Sequence, residues 1–258
     1  MKKSTIFMLV ALVAMIGCNK ASLDKTTADT GASSPSPAPK PYLHITSPAP
    51  GDSIAGNTVE LGVEHAGVRL AKADGDTSGA SGHFHVFIDR DAVPVGAVIP
   101  KSNDILHTTD DPMVITGLSI GVHTLTVVFG DGAHTRITDA IDTIRLTTNG
   151  PSIKVAGPAS IVAGQTLRIT VAVTGMTLVK SPQGQAPKSG HLHVLIDLQL
   201  PGYAKAIEAT NGIIHTTDTT IDIKGLNPGE HLIYVVVGDG GHVPFRPLVA
   251  DRLVVTVT

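Results

Sequence analysis

GHFHVFID at Gly82–Asp89 and GHLHVLID at Gly190–Asp197 are one segment written twice, 108 residues apart. Working outward from it, ILHTTD (Ile105–Asp110) returns as IIHTTD (Ile213–Asp218), and Gly117-Leu118 returns as Gly225-Leu226. Gly121 and His123 match Gly229 and His231, and GDGAH (Gly130–His134) matches GDGGH (Gly238–His242). Constant spacing over so many anchors means two copies of one domain, here placed at 42–149 and 150–258, with one copy expected to align on the other without gaps.

Within each copy, short stretches alternate apolar and polar residues between Gly, Pro, Asn and Asp. Val59, Leu61 and Val63 match Leu167, Ile169 and Val171, while Phe84, Val86 and Ile88 match Leu192, Val194 and Ile196. His123–Phe129, Ile141–Thr147 and their counterparts His231–Val237 and Val249–Val257 also read as strands. Val, Ile and Thr dominate, and no long stretch carries the helical period. The expected fold is all-β, two tandem immunoglobulin-like β-sandwich domains. Leu70–Gly82 and Leu178–Gly190 read as polar loops leading into the histidine strand.

The chain holds 12 histidines, and ten of them form five pairs across the repeat. His83 and His85 stand two apart on one strand, so both side chains leave the same face while Phe84 and Val86 point into the core. His107 lies at a strand end and His134 follows the short GDG turn, which lets a loop histidine swing inward. With His191, His193, His215 and His242 these make two expected metal sites. Neutral imidazoles without thiolates suit copper first, by its place in the affinity order, and zinc second. Asp89, Asp110, Asp131 and their mates are candidates to orient the rings from behind, although aspartates at strand ends also build Asx-turns. His123 and His231 open a strand just after a turn, and we expect them to bond the turn backbone. His44 and His65 lack mates and read as surface or edge residues. Met113 and Met176 do not pair, which leaves a thioether copper site without support.

The N-terminus supplies the cellular setting. Lys2 and Lys3 precede a short apolar run, Ile6–Ile16, and Ile16-Gly17-Cys18 ends it in the manner of a lipobox. The run is too short to span a bilayer, so residues 1–17 read as a lipoprotein signal peptide and Cys18 as the lipidated residue. Residues 18–41, Pro/Ser-rich toward their end, read as a spacer. Asn19 in place of aspartate favours the outer membrane, so the expected location is the cell envelope, lipid-anchored. Cys18 is the only cysteine, so no disulfide braces the fold. A net charge of −3 with no basic run argues against nucleic acid. No Trp and only 3 Tyr and 5 Phe leave little for stacking on bases or sugars. No nucleophile elbow or phosphate loop is present, and the GDG turns do not open a helix.

These motifs resemble a family of uncharacterised exported bacterial domains. Its members carry a GHHHLLID-like strand, a further histidine, an L-x-PG-x-HTL turn and a GD-x-x-H-x-P ending. The second copy fits closely, through VTGM (Val173–Met176), GHLHVLID, GLNPGEH (Gly225–His231) and GDGGHVP (Gly238–Pro244). The first departs at GLSIGVH (Gly117–His123), which lacks the proline, and at GDGAHTR (Gly130–Arg136), which lacks the H-x-P. The resemblance implies a sandwich and no particular activity. A looser likeness is to copper-zinc superoxide dismutases, whose copper ligands include an H-x-H strand pair. That likeness implies copper at His83, His85, His107 and His134 and at their mates. The long zinc loop, the disulfide and an evident active-site arginine are missing.

Three functions follow as expectations. The first is an envelope lipoprotein that binds copper through one histidine cluster per repeat, for sequestration or delivery. The second is a copper-dependent dismutase guided by Lys101, Arg136 or Arg69. The third is a structural or adhesive module whose histidines only brace turns. The metal ion is the one partner the sequence names, beside a membrane reached through the lipid alone.

Overall fold

The computed structural model describes residues 39–181, 188–202 and 204–258. The expected signal peptide, Cys18 and most of the expected spacer fall within residues 1–38, outside the described residues. Among those described there is no helix, hence none long and apolar enough to cross a membrane.

The first repeat runs through β1 (Tyr42–Ser47), β2 (Ser53–Ala55), β3 (Val59–Ala66), β4 (Arg69–Leu70), β5 (Ser81–Ile88), β6 (Ile105–Thr108), β7 (Met113–Ile115), β8 (Gly121–Gly130) and β9 (Arg136–Asn149). The second follows with β10 (Ser152–Ala156), β11 (Ser160–Ile161), β12 (Leu167–Thr174), β13 (Thr177–Leu178), β14 (Ser189–Ile196), β15 (Ile213–Thr216), β16 (Thr220–Ile223), β17 (Gly229–Gly238) and β18 (Ala250–Val257). Each repeat stacks a three-stranded sheet on a six-stranded one. The small sheets are β1-β3-β7 and β10-β12-β16; the large ones are β2-β9-β8-β5-β4 with β6 on β5, and β11-β18-β17-β14-β13 with β15 on β14.

The strict 108-residue interval holds from β3 to β8 and breaks on either side. Leu43 and Ile45 take the place of Ile153 and Val155, 110 residues on, and the last strand is offset by 109, His123 pairing with Leu146 where His231 pairs with Val255. The gap-free alignment expected from the motifs therefore holds from β3 to β8 and not over the flanking strands. The flanking strands absorb the differences in connections that carry no motif.

Alternation explains the small sheets. In β3, Val59, Leu61 and Val63 face inward and Glu60 and Glu64 outward; β12 repeats this with Leu167, Ile169 and Val171 against Arg168 and Thr170. β5 behaves differently, being buried at seven consecutive positions, because both of its faces are covered. Phe84 and Val86 pack with Leu61, Leu125 and Phe129 between the sheets. Phe87 points the other way and packs with Ile99, Ile105 and Val128 beneath the long β5–β6 connection. Leu195, Ile207 and Val236 repeat that outer layer in the second copy. His83 and His85 share the outer face with Phe87, so the sandwich core and the histidines occupy opposite sides of one sheet.

The two repeats are bonded together. Asn57, fully buried, donates from Nδ2 to the carbonyls of Ile153 (2.8 Å) and Ala250 (3.0 Å), and its Oδ1 accepts from the Ala250 amide at 3.2 Å. Gly117 donates its amide to Ala250 O, and Lys154 Nζ donates to Gly117 O, each at 3.0 Å.

Candidate metal centres

Adjacent positions on the ladder bring the ligands together. His85 on β5 stands directly opposite His107 on β6, and His83 opposite Gly130 on β8. The chain then turns through Asp131–Thr135 and returns His134 over the same spot. That turn is held by its own aspartate. Asp131 Oδ1 accepts from the amides of Ala133 (2.9 Å) and Thr135 (2.8 Å), and the Asp131 amide donates to Thr135 O. His134 adopts φ 62° and its mate His242 φ 64°, a left-handed conformation that costs a non-glycine residue about 1 kcal/mol or more. The β5–β6 connection clamps the turn from outside, Ile99 donating to His134 O at 2.7 Å, as Ile207 does to His242 O at 2.9 Å.

The four rings of the first cluster have centroids 4.3–6.2 Å apart. Those of the second lie 4.4–5.9 Å apart. In each cluster one nitrogen per ring can be chosen so that all four lie within 4.8 Å of one another. In the second, His242 Nδ1 stands 3.1 Å from His191 Nε2 and 3.2 Å from His193 Nε2. Two nitrogens bound tetrahedrally to one ion at 2.0–2.1 Å stand roughly 3.3 Å apart. A single ring proton cannot serve two such neighbours at once, whereas one ion between them serves all.

Burial removes water as an alternative partner. Both ring nitrogens of His83 and His85, Nδ1 of His191 and His193, and Nε2 of His107 and His215 are buried without a hydrogen-bonding partner. Groups of this kind are costly to leave unpaired, and a cation at the centre of the cluster answers the nitrogens that face it. Seven of these rings are also held toward the neutral form, as metal ligands must be. Burial first, then the neighbouring imidazoles, push His83 down to about 4, His85 to about 2 and His193 to about 3. His107 falls to about 4 for the same reasons, with Arg252 and Lys101 adding to the shift. Burial likewise lowers His134, His191 and His215.

All eight histidines expected at metal sites thus converge, four per repeat. The aspartates hold none of these rings by a hydrogen bond that is seen among the described residues; Asp131 and Asp239 act on His134 and His242 through the turn backbone instead. Asp89 and Asp197 accept from Nδ1 of His123 and His231, each at 2.7 Å, Asp110 bonds Thr108, and Asp131 and Asp239 close their own turns. Their Asx-turn chemistry outweighs the orienting role, although Asp131 and Asp239 still favour the charged form of nearby His83 and His191 through space. His123 and His231 bond the turn backbone as expected, through Nε2 to Ser119 O (2.7 Å) and Asn227 O (2.8 Å). His44 is a surface residue paired with Asp142, but His65 is not merely at the edge, since its ring packs edge-on against Phe84 and Phe129. Of the cations weighed as anion guides, Arg136 is spent on the carbonyls of Val93 and Thr138, and Lys101 pairs with Glu230.

Five further residues shape the clusters: Ile99 and Ile207 from the connections above them, Arg252, and Gly130 and Gly238. The two glycines open the repeated GDG runs, and that recurrence marks positions where a ring leaves no room for a side chain.

The family model described as "Domain of unknown function (DUF4399)" matches residues 59–149 and again 169–258. No curated protein matches the chain. Among solved structures, a tetra-tandem repeat from the extending region of a large adhesion protein is similar at 13% identity, covering 84% of this chain and 49% of that one, with a TM-score of 0.25. Escherichia coli alpha-2-macroglobulin activated by porcine elastase is similar at 11% identity, covering 84% of this chain and 23% of that one, also with a TM-score of 0.25. The chain spans about half the length of the first and less than a quarter of the second. At such identities and scores neither bears on the site.

Proposed function

The chain belongs to the DUF4399 family through both of its halves, and from that premise we propose that it is a metal-binding protein of the cell envelope, one transition-metal ion per repeat. The observation that carries this reading is the convergence of four imidazoles in each copy, two of them buried and two half-buried, in clusters that hold buried ring nitrogens without a hydrogen-bonding partner. Copper is the first-choice metal and zinc the second, because the donors are imidazoles alone, with neither thiolate nor carboxylate among them. The role is sequestration or delivery, with His83, His85, His107 and His134 as one ligand set and His191, His193, His215 and His242 as the other. A lipid on Cys18 would hold the repeats at the membrane, most naturally the outer one, with residues 18–41 as a tether.

The test is metal content. Tag-free protein loaded with copper(II) or zinc and dialysed should retain two ions per chain, and the His83→Gln/His85→Gln variant one. Retention of none by the wild-type chain ends the proposal.

A further inference from the structure

The two clusters share ligands and geometry but not surroundings. β6, which carries His107, is backed by the second repeat. Arg252, half-buried on β18, donates from Nη2 to Ile105 O at 3.2 Å. Lys101, on the connection leading into β6, forms an ion pair with Glu230 at the start of β17. Ile105 and Leu106 are 1% and 7% exposed, packed with first-repeat residues on the two faces of the sheet, and Arg252 meets the backbone of Ile105 from the second repeat. β15, which carries His215, has no such backing among the described residues: Ile213 and Ile214 are both half-buried, as is the whole strand. The positions that match Lys101 and Arg252 hold Ala209 and Thr143, so neither contact has a counterpart serving the second cluster. Buried Asn57 and the Gly117–Ala250 backbone bond fix the repeats against each other, so Arg252 meets β6 from a neighbour that is itself held in place.

Loss of a metal from a four-imidazole site requires at least one ligand to swing away. Each of these short edge strands is paired on one side only, to β5 or β14, so local opening of β6 or β15 is the easiest such motion. Resting on the metal-binding reading above, we infer that the two centres are unequal: the first retains its ion, latched by Arg252 and Lys101 across the repeat junction, and the second exchanges its ion with the surroundings. The chain then combines a lasting store with a transfer point. Release should follow the opening of the ligand strand, and that opening is resisted in one repeat alone.

Copper(II)-loaded full-length protein, challenged with excess EDTA and followed by copper EPR, tests this directly. The His191→Gln/His193→Gln variant isolates the first centre and His83→Gln/His85→Gln the second. Copper should leave the second about tenfold faster or more, and Lys101→Ala with Arg252→Ala should speed release from the first while leaving the second unchanged. Equal rates, or faster release from the first centre, overturn the inference while leaving metal binding intact. Absence of copper from both centres defeats the metal-binding reading itself. Hydrogen exchange in the unaltered protein decides independently of any variant: the amides of Leu106–Thr108 should exchange more slowly than those of Ile214–Thr216, and equal protection refutes the latch.

Discussion

The ring of His193 occupies the space that a side chain at position 238 would need. A Cβ on Gly238 would overlap its Cε1, as one on Gly130 would overlap the ring of His85. Gly238→Ala should therefore tilt His193 out of its cluster. We expect the second centre to lose roughly tenfold or more in metal affinity, a penalty typical of disturbed ligand orientation. The first centre should be unchanged. Competition titrations on the variant and on Gly130→Ala check this, and wild-type affinity in both would mean that the rings have room to spare.

Metal should stabilise the fold. Binding to the native state alone adds about 4 kcal/mol at a free-ion level a thousand times Kd. Thermal unfolding of the loaded protein should therefore occur at a higher temperature, and chelation should reverse the gain. In His83→Gln/His85→Gln the gain should be smaller but still present.

Acid should destabilise the metal-free protein. His83, His85, His107 and His193 sit far below the ordinary 6.5 when folded, at about 4, 2, 4 and 3. Below about pH 6.5 the unfolded chain takes up protons that the folded chain refuses. Their contribution to stability is thus full above that value and shrinks as pH falls toward 4, by up to about 1.4 kcal/mol per imidazole per unit. Denaturant midpoints at descending pH should fall more gently in His85→Gln/His193→Gln. Parallel curves for the two proteins would contradict neutral burial of the rings.

His231 should behave in the opposite sense. Both of its nitrogens face oxygen acceptors, the Asn227 carbonyl and the Asp197 carboxylate. These raise its pKa above 6.5, the backbone contact contributing most. Its stabilising effect is then fully present below about pH 6.5 and is lost as pH climbs through the raised folded value. The stability difference between wild type and His231→Gln should narrow on moving to alkaline pH, as read from urea unfolding. A difference that does not change with pH would refute the charged pairing.

Asn57→Ala removes a side chain that makes three hydrogen bonds across the repeat junction. Buried groups left unpaired cost about 1–3 kcal/mol, so calorimetry should show earlier unfolding and separation of one transition into two. A single unshifted peak would mean the junction is inert.

Much of the fold was legible in the sequence because burial on one side of a strand writes alternation into it, as at Val59, Leu61 and Val63. The ligand set was legible because His83, His85, His107 and His134 recur with their spacing, and drift at solvated positions would have scattered them. The sequence concealed whatever depends on a second surface. The unbroken burial of β5 needs the β5–β6 connection folded over it. The partners of Asp89 and Asp110 depend on turn geometry, and Arg252 meets Ile105 only because two repeats pack against each other. A junction unique to one pair of repeats cannot show up in a comparison between them.

His134 and His242 hold their left-handed backbone because an aspartate three residues earlier closes the turn around each of them. Nothing in that closure requires an ion. On the metal-binding reading proposed above, the fourth ring is aimed by the fold itself, so loading would not require the chain to be reordered. Uptake is then governed by how readily the cation sheds its water, and the sandwich should survive repeated filling and draining.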